Sequence, residues 1–311
     1  MKKLPLAKLV SLFENQSPDA AQQRHDIIKH ILSHPNDYSG KGVVVGFTGT
    51  PGAGKSSLVA ELCKILIRNN PSMRIAVLAI DPSSQVSGGS ILGDRTRMHS
   101  GEKNPNLFFR SQASNLELGG VTHNTFQATR LLRHLFDLVI IETVGIGQNE
   151  IDIQYMSDHT FLVMQPLAGD QIQFMKCGIM EIPDSFIVNK CDEENLARTS
   201  YHMLRSSLKQ AKLVMLDEQD DFQRAAKDKI FLTSAVKNKG IDELSAFIAS
   251  VGQSSEFKKT DYYYLFKSIQ HQFGRFGTGL LEDALPALFD GLITYEEKEV
   301  AALQLIKQGI R

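Results

Sequence analysis

Residues 46–57 read GFTGTPGAGKSS. Gly46, Gly49, Gly52, Gly54 and Pro51 crowd into this stretch directly behind the apolar run Val43-Val44-Val45, and Lys55, Ser56 and Ser57 follow at once. Gly49, Gly54, Lys55 and Ser56 satisfy G-x-x-x-x-G-K-[ST], and the flanks meet the context that pattern requires. An apolar strand stands in front, and a helical run from Leu58 to Ile67 stands behind. Glycines let backbone wrap closely round phosphates, so that N–H groups and a helix N-terminus point at negative charge. The expected nucleotide-binding loop therefore runs through Gly49, Thr50, Pro51, Gly52, Ala53 and Gly54 to Lys55, Ser56 and Ser57. Lys55 is placed to reach the β and γ phosphates, and the Ser56 hydroxyl to ligate Mg²⁺.

Working outward, short continuous apolar runs recur at 43–47, 75–80, 137–141, 159–164, 185–189 and 229–233, separated by helical stretches. Runs apolar at every position suit strands covered on both faces, and helices between them suit a mostly parallel sheet. The expected fold is α/β, a P-loop nucleotide-binding domain with a doubly wound sheet over residues 41–252. Residues 4–34 carry apolar positions at helical spacing (Leu6, Leu9, Val10, Phe13, Ile27, Ile28, Ile31, Leu32), broken near Ser17-Pro18 and ended by Pro35-Asn36. They predict a helical extension over 1–40. Beyond Gly252 strand signals stop, and 253–311 reads as a second, carboxy-terminal helical extension.

The base is addressed by Asn189-Lys190-Cys191-Asp192, at the end of the apolar run Ser185–Val188. A carboxylate there can accept from the two adjacent N–H donors of guanine, while the Lys190 stem covers the ring. Adenine lacks that donor pair and would leave Asp192 unpaired, which discriminates strongly. Thr233-Ser234-Ala235, at the end of another strand, completes the guanine-site candidates through Ser234 and Ala235. Asp81 and Glu142 end two further runs, on the ligand-facing edge of such a sheet. Asp81 is read as a Mg²⁺ neighbour, with helix capping ahead of Pro82 as its alternative. Glu142, in Glu-Thr-Val-Gly, takes the place of the aspartate in DxxG, and Gly145 would sense the γ-phosphate through its N–H.

Composition narrows the partners. Lysine plus arginine number 34 against 35 for aspartate plus glutamate, so nothing points to a nucleic-acid surface. Cys63, Cys177 and Cys191 show neither even number nor CxxC spacing, which disfavours a disulfide framework or structural zinc and suits a reducing cytoplasm. The amino terminus MKKLPLAKLV is interrupted by Lys8 where a signal peptide would be apolar, and no run has membrane-spanning length.

Taken together, GFTGTPGAGKSS, AIDPSSQVSGGSILGDRTRM, IIETVGIGQNE, PLAGDQIQFMKCGIME and IVNKCD resemble the P-loop GTPases of the ArgK/MeaB family over roughly residues 41–250. The resemblance implies a homodimeric GTPase chaperone that gates adenosylcobalamin delivery to, and protects, an acyl-CoA mutase, typically methylmalonyl-CoA mutase. It also implies that Asp81 and Asp94 lie near Mg²⁺ and the γ-phosphate, that Glu142 is the ExxG acid, and that Pro166–Gly178 is an additional switch. The chain departs from the family pattern at Arg95 (GDR for GDK), at Cys191 (NKCD for NKAD), and at Gln165–Asp170, which reads QPLAGD where the family has LPGAGD.

For hydrolysis, Lys55, Asp94 and Glu142 are the catalytic candidates. Gln148 is open to a water-orienting or a structural role, and Arg95, Arg97 and Lys176 to charge neutralisation or plain solvation. Besides a non-hydrolysing scaffold, against which the intact Lys55, Ser56 and acidic positions speak, two other functions stay open at this level. One is a kinase linked to amino-acid transport, against which NKCD speaks. The other is a nickel-insertion GTPase, which would need Cys or His ligands near the switches. His123, His134 and His159 lack ligand spacing and read as packed or surface residues. Tyr262-Tyr263-Tyr264 reads as an aromatic cluster buried at a helix interface.

Overall fold

Among the described residues, seven strands form one sheet in the order β3-β2-β4-β1-β5-β6-β7, and every pairing between them is parallel. They are β1 (Val43–Gly49), β2 (Ile75–Asp81), β3 (Leu107–Ala113), β4 (Leu138–Glu142), β5 (His159–Met164), β6 (Ser185–Val188) and β7 (Ile230–Leu232). The helices are α1 (Leu6–Phe13), α2 (Pro18–Ser33), α3 (Lys55–Asn69), α4 (His123–Leu135), α5 (Ile151–Met156), α6 (Glu194–Ala211), α7 (Ile241–Ser250), α8 (Phe257–Ala284) and α9 (Tyr295–Gly309). The computed structural model describes residues 5–15, 17–35, 37–38, 42–81, 104–113, 123–143, 151–166, 183–211, 229–252, 257–284, 291–292 and 294–309, with Pro18, Asp81, Ala113, Ile151, Gln210, Ala211 and 257–260 described as backbone alone.

The sheet is covered on both faces, as its continuous apolar runs require. Along β5, Phe161 and Val163 join a core with Val45 and Phe47 of β1, Leu58, Leu62 and Leu66 of α3, and Leu244 and Ile248 of α7. The alternate residues Leu162 and Met164 face the other way, onto Tyr201, Leu204 and Leu208 of α6. A period of two on strands therefore serves two helical layers. Leu58, Leu62 and Leu66 recur every four residues and form one buried stripe on α3. Truncating one of them to alanine costs about 2–5 kcal/mol.

Strand β3 is absent from the runs singled out in the sequence. It is an edge strand, apolar only over Leu107-Phe108-Phe109 before Arg110-Ser111-Gln112, and those aromatics are half-buried. An edge strand packs fewer neighbours and needs fewer apolar residues, so its pattern is weak. The break read near Ser17-Pro18 is a helix start. The Ser17 side chain accepts from Ala20 N–H at 3.3 Å, and Pro18 occupies the first turn.

The chain divides into two compact units, Val43–Val121 with Phe136–Ser254, and Met1–Gly42 with Thr122–Leu135 and Ser255–Arg311. The helices before and after the nucleotide-binding region, read apart in the sequence, thus share one unit, and α4 belongs with them. That unit is held by charge as much as by apolar contact. Arg130 on α4 donates to Glu296 on α9 at 3.0 Å through Nε and Nη2, and to Asp261 on α8 at 2.9 Å. Its guanidinium also lies 4.8 Å from the Tyr295 ring centroid. Nearby, Glu299 Oε1 accepts from Arg24 Nη2 at 2.8 Å and from Gln127 Nε2 at 3.1 Å. Burial raises the Glu299 pKa, but hydrogen bonds and charge from His123 and Arg24 outweigh it and hold the carboxyl below its ordinary value. Of the three adjacent tyrosines, only Tyr264 is buried, stacked on Phe126 at 4.0 Å, whereas Tyr262 and Tyr263 are 41% and 38% exposed. No helix among the described residues is long and apolar enough to cross a membrane.

Candidate functional site: a phosphate loop facing a guanine-type motif

The loop 50–54 leaves the end of β1, the middle strand of the sheet, and α3 begins at Lys55. Two of its glycines are dictated by geometry. Gly49 has φ +141°, and a Cβ there would lie 1.9 Å from the Val163 carbonyl oxygen. Gly54 has φ +82°, and a Cβ there would meet Asn189 Nδ2 at 2.8 Å. Both conformations are left-handed or nearly so, which only glycine adopts freely. Thr50 N–H donates to Val163 O at 3.2 Å and ties the loop to β5.

Lys55 is buried, and its Nζ donates to the carbonyls of Gly49 at 2.8 Å and Thr50 at 3.0 Å. An ammonium so held lies in the concavity of the loop, where a phosphate would meet it. Ser56 Oγ donates to Glu142 Oε1 at 2.6 Å, and Glu142 is buried. The pair brings two hard oxygen ligands together at the helix start, the donor set that Mg²⁺ takes at a phosphate. Glu142 stands between Phe47 of β1 and Ala79 of β2, so the Asp81 backbone lies two residues further along the neighbouring strand. Thr50, Ala53 and Lys55 are buried, Pro51, Gly52 and Ser57 are exposed, and Gly54 and Ser56 are intermediate.

The second half of the site grows from the ends of β6 and β7. Asn189 is buried and acts as a strut. Its Nδ2 donates to Ala53 O at 2.8 Å in the phosphate loop, and its Oδ1 accepts from Thr233 Oγ1 at 3.1 Å. Ser234 Oγ donates to Asp192 Oδ1, and Lys237 Nζ donates to the Asp192 carbonyl at 3.0 Å. Those contacts hold the residue expected to read guanine. Lys190 is exposed, has φ +64°, and donates to Gln165 Oε1 at 3.2 Å. Ala235 follows at the end of β7, half-buried. Gln165, Thr233 and Lys237 carry no motif letter of their own. Thr233 was signalled by its place in Thr-Ser-Ala, Gln165 stood out only as a departure from the family pattern, and Lys237 gave no signal in the sequence.

Asp94, Gly145, Arg95, Arg97, Gln148, Lys176 and Cys177 lie outside the described residues, as does all of Pro166–Gly178 beyond Pro166. The thiols of Cys63 and Cys191 are free and buried, and burial pushes both up to about 12. His159 packs among Phe161 and Phe247, and burial lowers its pKa. Among the described residues, no three His, Cys, Asp or Glu side chains gather as a metal site.

Comparison with known proteins fits this geometry. In solved structures the fold is shared with a LAO/AO transport system kinase at TM-score 0.53 and 22% identity, over 100% of this chain and 99% of that one. HypB from Helicobacter pylori, solved in complex with nickel, follows at TM-score 0.50 and 14% identity, over 76% of this chain and 98% of its own. In sequence, a protein of Pyrococcus abyssi named as a GTPase is 37% identical over 240 residues, 76% of this chain and 68% of its own. GTPase ArgK of Escherichia coli is 34% identical over 241 residues, covering 77% and 69%. The mitochondrial methylmalonic aciduria type A homolog of Caenorhabditis elegans is 37% identical over 200 residues, covering 62% and 50%. The family described as methylmalonyl Co-A mutase-associated GTPase MeaB matches residues 6–260. With a phosphate loop, a guanine-type motif and this match across most of its length, the chain belongs to the MeaB family of P-loop GTPases.

Proposed function

We propose that this GTPase is a chaperone of an adenosylcobalamin-dependent acyl-CoA mutase, methylmalonyl-CoA mutase in the first place, gating cofactor delivery and protecting the enzyme. The observation that supports the nucleotide part of this reading is the strut Asn189, whose side chain bonds both Ala53 of the phosphate loop and Thr233 and so ties the two sequence signals together. The mutase enters through the name of the family and of the methylmalonic aciduria type A relatives.

In the proposed mechanism, GTP lies with its phosphates in the 49–57 loop and its base against Asp192. Lys55 exchanges the loop carbonyls for β and γ phosphate oxygens, and the amides of Gly52, Ala53 and Gly54 supply further donors, with Gly145 as the γ-phosphate contact. Ser56 and Glu142, with Asp81 and Asp94, are the residues that would hold Mg²⁺, which neutralises phosphate charge when bound. Such sites act by positioning and electrostatics more than by covalent chemistry. Ser234 and Ala235 support the base-reading carboxylate, and Lys190 covers the ring.

The same reading has the nucleotide domain over 41–252, flanked by the helical segments 1–40 and 253–311, in a cytoplasmic homodimer formed through the carboxy-terminal segment, with no nucleic-acid or membrane partner. The test is complex formation. Size-exclusion chromatography of the chain with methylmalonyl-CoA mutase, run with GDP and with a non-hydrolysable GTP analogue, should give a co-eluting complex whose amount depends on the nucleotide. Separate elution in both states overturns the mutase assignment.

A further inference from the structure

Lys190 stands where the sequence alone gave it one task, to lie over the base, and the structure shows how it is held. The backbone on either side is pinned. Asn189 N–H donates to Met164 O at 2.8 Å, and Cys191 N–H donates to Thr233 O at 2.9 Å. Between these two bonds Lys190 takes φ +64°, a left-handed conformation that side-chain-bearing residues rarely adopt. The turn sends its stem toward the phosphate loop, since a Cβ on Gly54 would lie 3.8 Å from Lys190 Cε. Its ammonium ends on Gln165 Oε1 at 3.2 Å. Gln165 directly follows Met164, the residue that receives Asn189 N–H, so the clamp at the end of β5 and the strut at the end of β6 lie side by side.

We infer that Gln165 is a positioning residue for guanine-nucleotide binding, its amide oxygen holding the Lys190 stem extended beside the loop before a base arrives. A free lysine side chain samples many rotamers, and fixing it costs entropy at binding. An acceptor already in place removes part of that cost, and a hydrogen bond to a charged donor is stronger than a neutral one. Glutamine at this position supplies the acceptor, whereas a leucine there would accept no hydrogen bond. The inference rests on the reading of Asn189–Asp192 as the guanine motif.

The test is GDP affinity of the full chain, by titration calorimetry, for the parent, Gln165→Leu and Gln165→Glu, with ATP against GTP on the parent as control. Gln165→Leu should weaken GDP binding about three- to tenfold, the span expected for losing one solvent-exposed hydrogen bond. Gln165→Glu keeps an acceptor and should restore parental affinity or better, with a steeper loss at high salt because the new pair is ionic. Unchanged affinity in Gln165→Leu overturns the inference, and so does equal weakening in both variants, which would mark a packing effect. A parent that binds ATP as tightly as GTP fails one step earlier, at the guanine reading itself, and is distinguishable on that ground.

Discussion

At the scale of single residues, the proposed nucleotide site has groups placed for phosphate and groups placed for the base. Lys55 belongs to the first, buried and bonded to two loop carbonyls that hold its ammonium in the concavity. Lys55→Ala should lower GTP turnover by at least about a hundredfold, as loss of a preorganised charge stabiliser does, measured by phosphate release. Asp192 belongs to the second. Asp192→Asn replaces an acceptor with a donor opposite the guanine N–H pair, so GTP affinity should fall by at least about a hundredfold. Xanthosine triphosphate, which offers a carbonyl where guanine offers an amine, should bind this variant better than GTP does. Lys55, Ser56, Glu142, Asn189 and Asp192, which the structure brings together around the loop, were legible in the sequence, because glycine, lysine, serine and carboxylates at fixed spacing reflect backbone geometry and charge that few other residues supply. Gln165 and Lys237 were not, since a glutamine after a strand and a lysine in a turn are ordinary surface letters until neighbouring strands place them beside Lys190 and Asp192.

At the scale of elements, the nucleotide site is a set of strand ends braced against one another. Asn189, at the end of β6, binds both the phosphate loop after β1 and Thr233 after β7. Asn189→Ala removes the acceptor of a buried hydroxyl and the donor to Ala53 O, and should destabilise the fold by about 1–3 kcal/mol, read from urea denaturation. Gly49→Ala forces a Cβ onto the Val163 carbonyl. Because main chain rather than a flexible side chain stands in the way, the loss should reach about 3 kcal/mol or more in the same assay. The central strands were readable because burial on both faces demands apolar residues at every position. The edge strand β3 escaped because it satisfies fewer neighbours with three apolar residues and a polar remainder.

At the scale of the molecule, the helical unit shows what a sequence pattern conceals. Glu296, Lys298 and Glu299 in Tyr295–Gly309 are charged residues, yet all three are buried against Arg130, Asp261, Arg24 and Gln127. Their partners come from segments far apart in the chain, so only tertiary structure reveals the pairing. That unit should also respond to pH through His134. Burial, helped by Arg130, opposed by Glu296 and lowered further by Arg133, brings its pKa down to about 4. The unfolded chain takes up the proton near pH 6.5, its ordinary value, while the folded one resists until about 4. Stability is therefore full above pH 6.5 and declines as pH falls toward 4, by up to about 3 kcal/mol from this one group. Denaturation at several pH values should show a shallower decline for His134→Asn than for the parent; parallel curves would contradict the assignment.

The central claim is that a guanine-specific site answers to a mutase, and the most direct measurement is Mg²⁺-dependent hydrolysis of GTP and ATP by the purified chain, alone and with increasing methylmalonyl-CoA mutase. Slow turnover of GTP over ATP, rising and saturating as the mutase is added, is the predicted result. A rate that ignores the mutase at every concentration, or turnover of ATP equal to that of GTP, would contradict it.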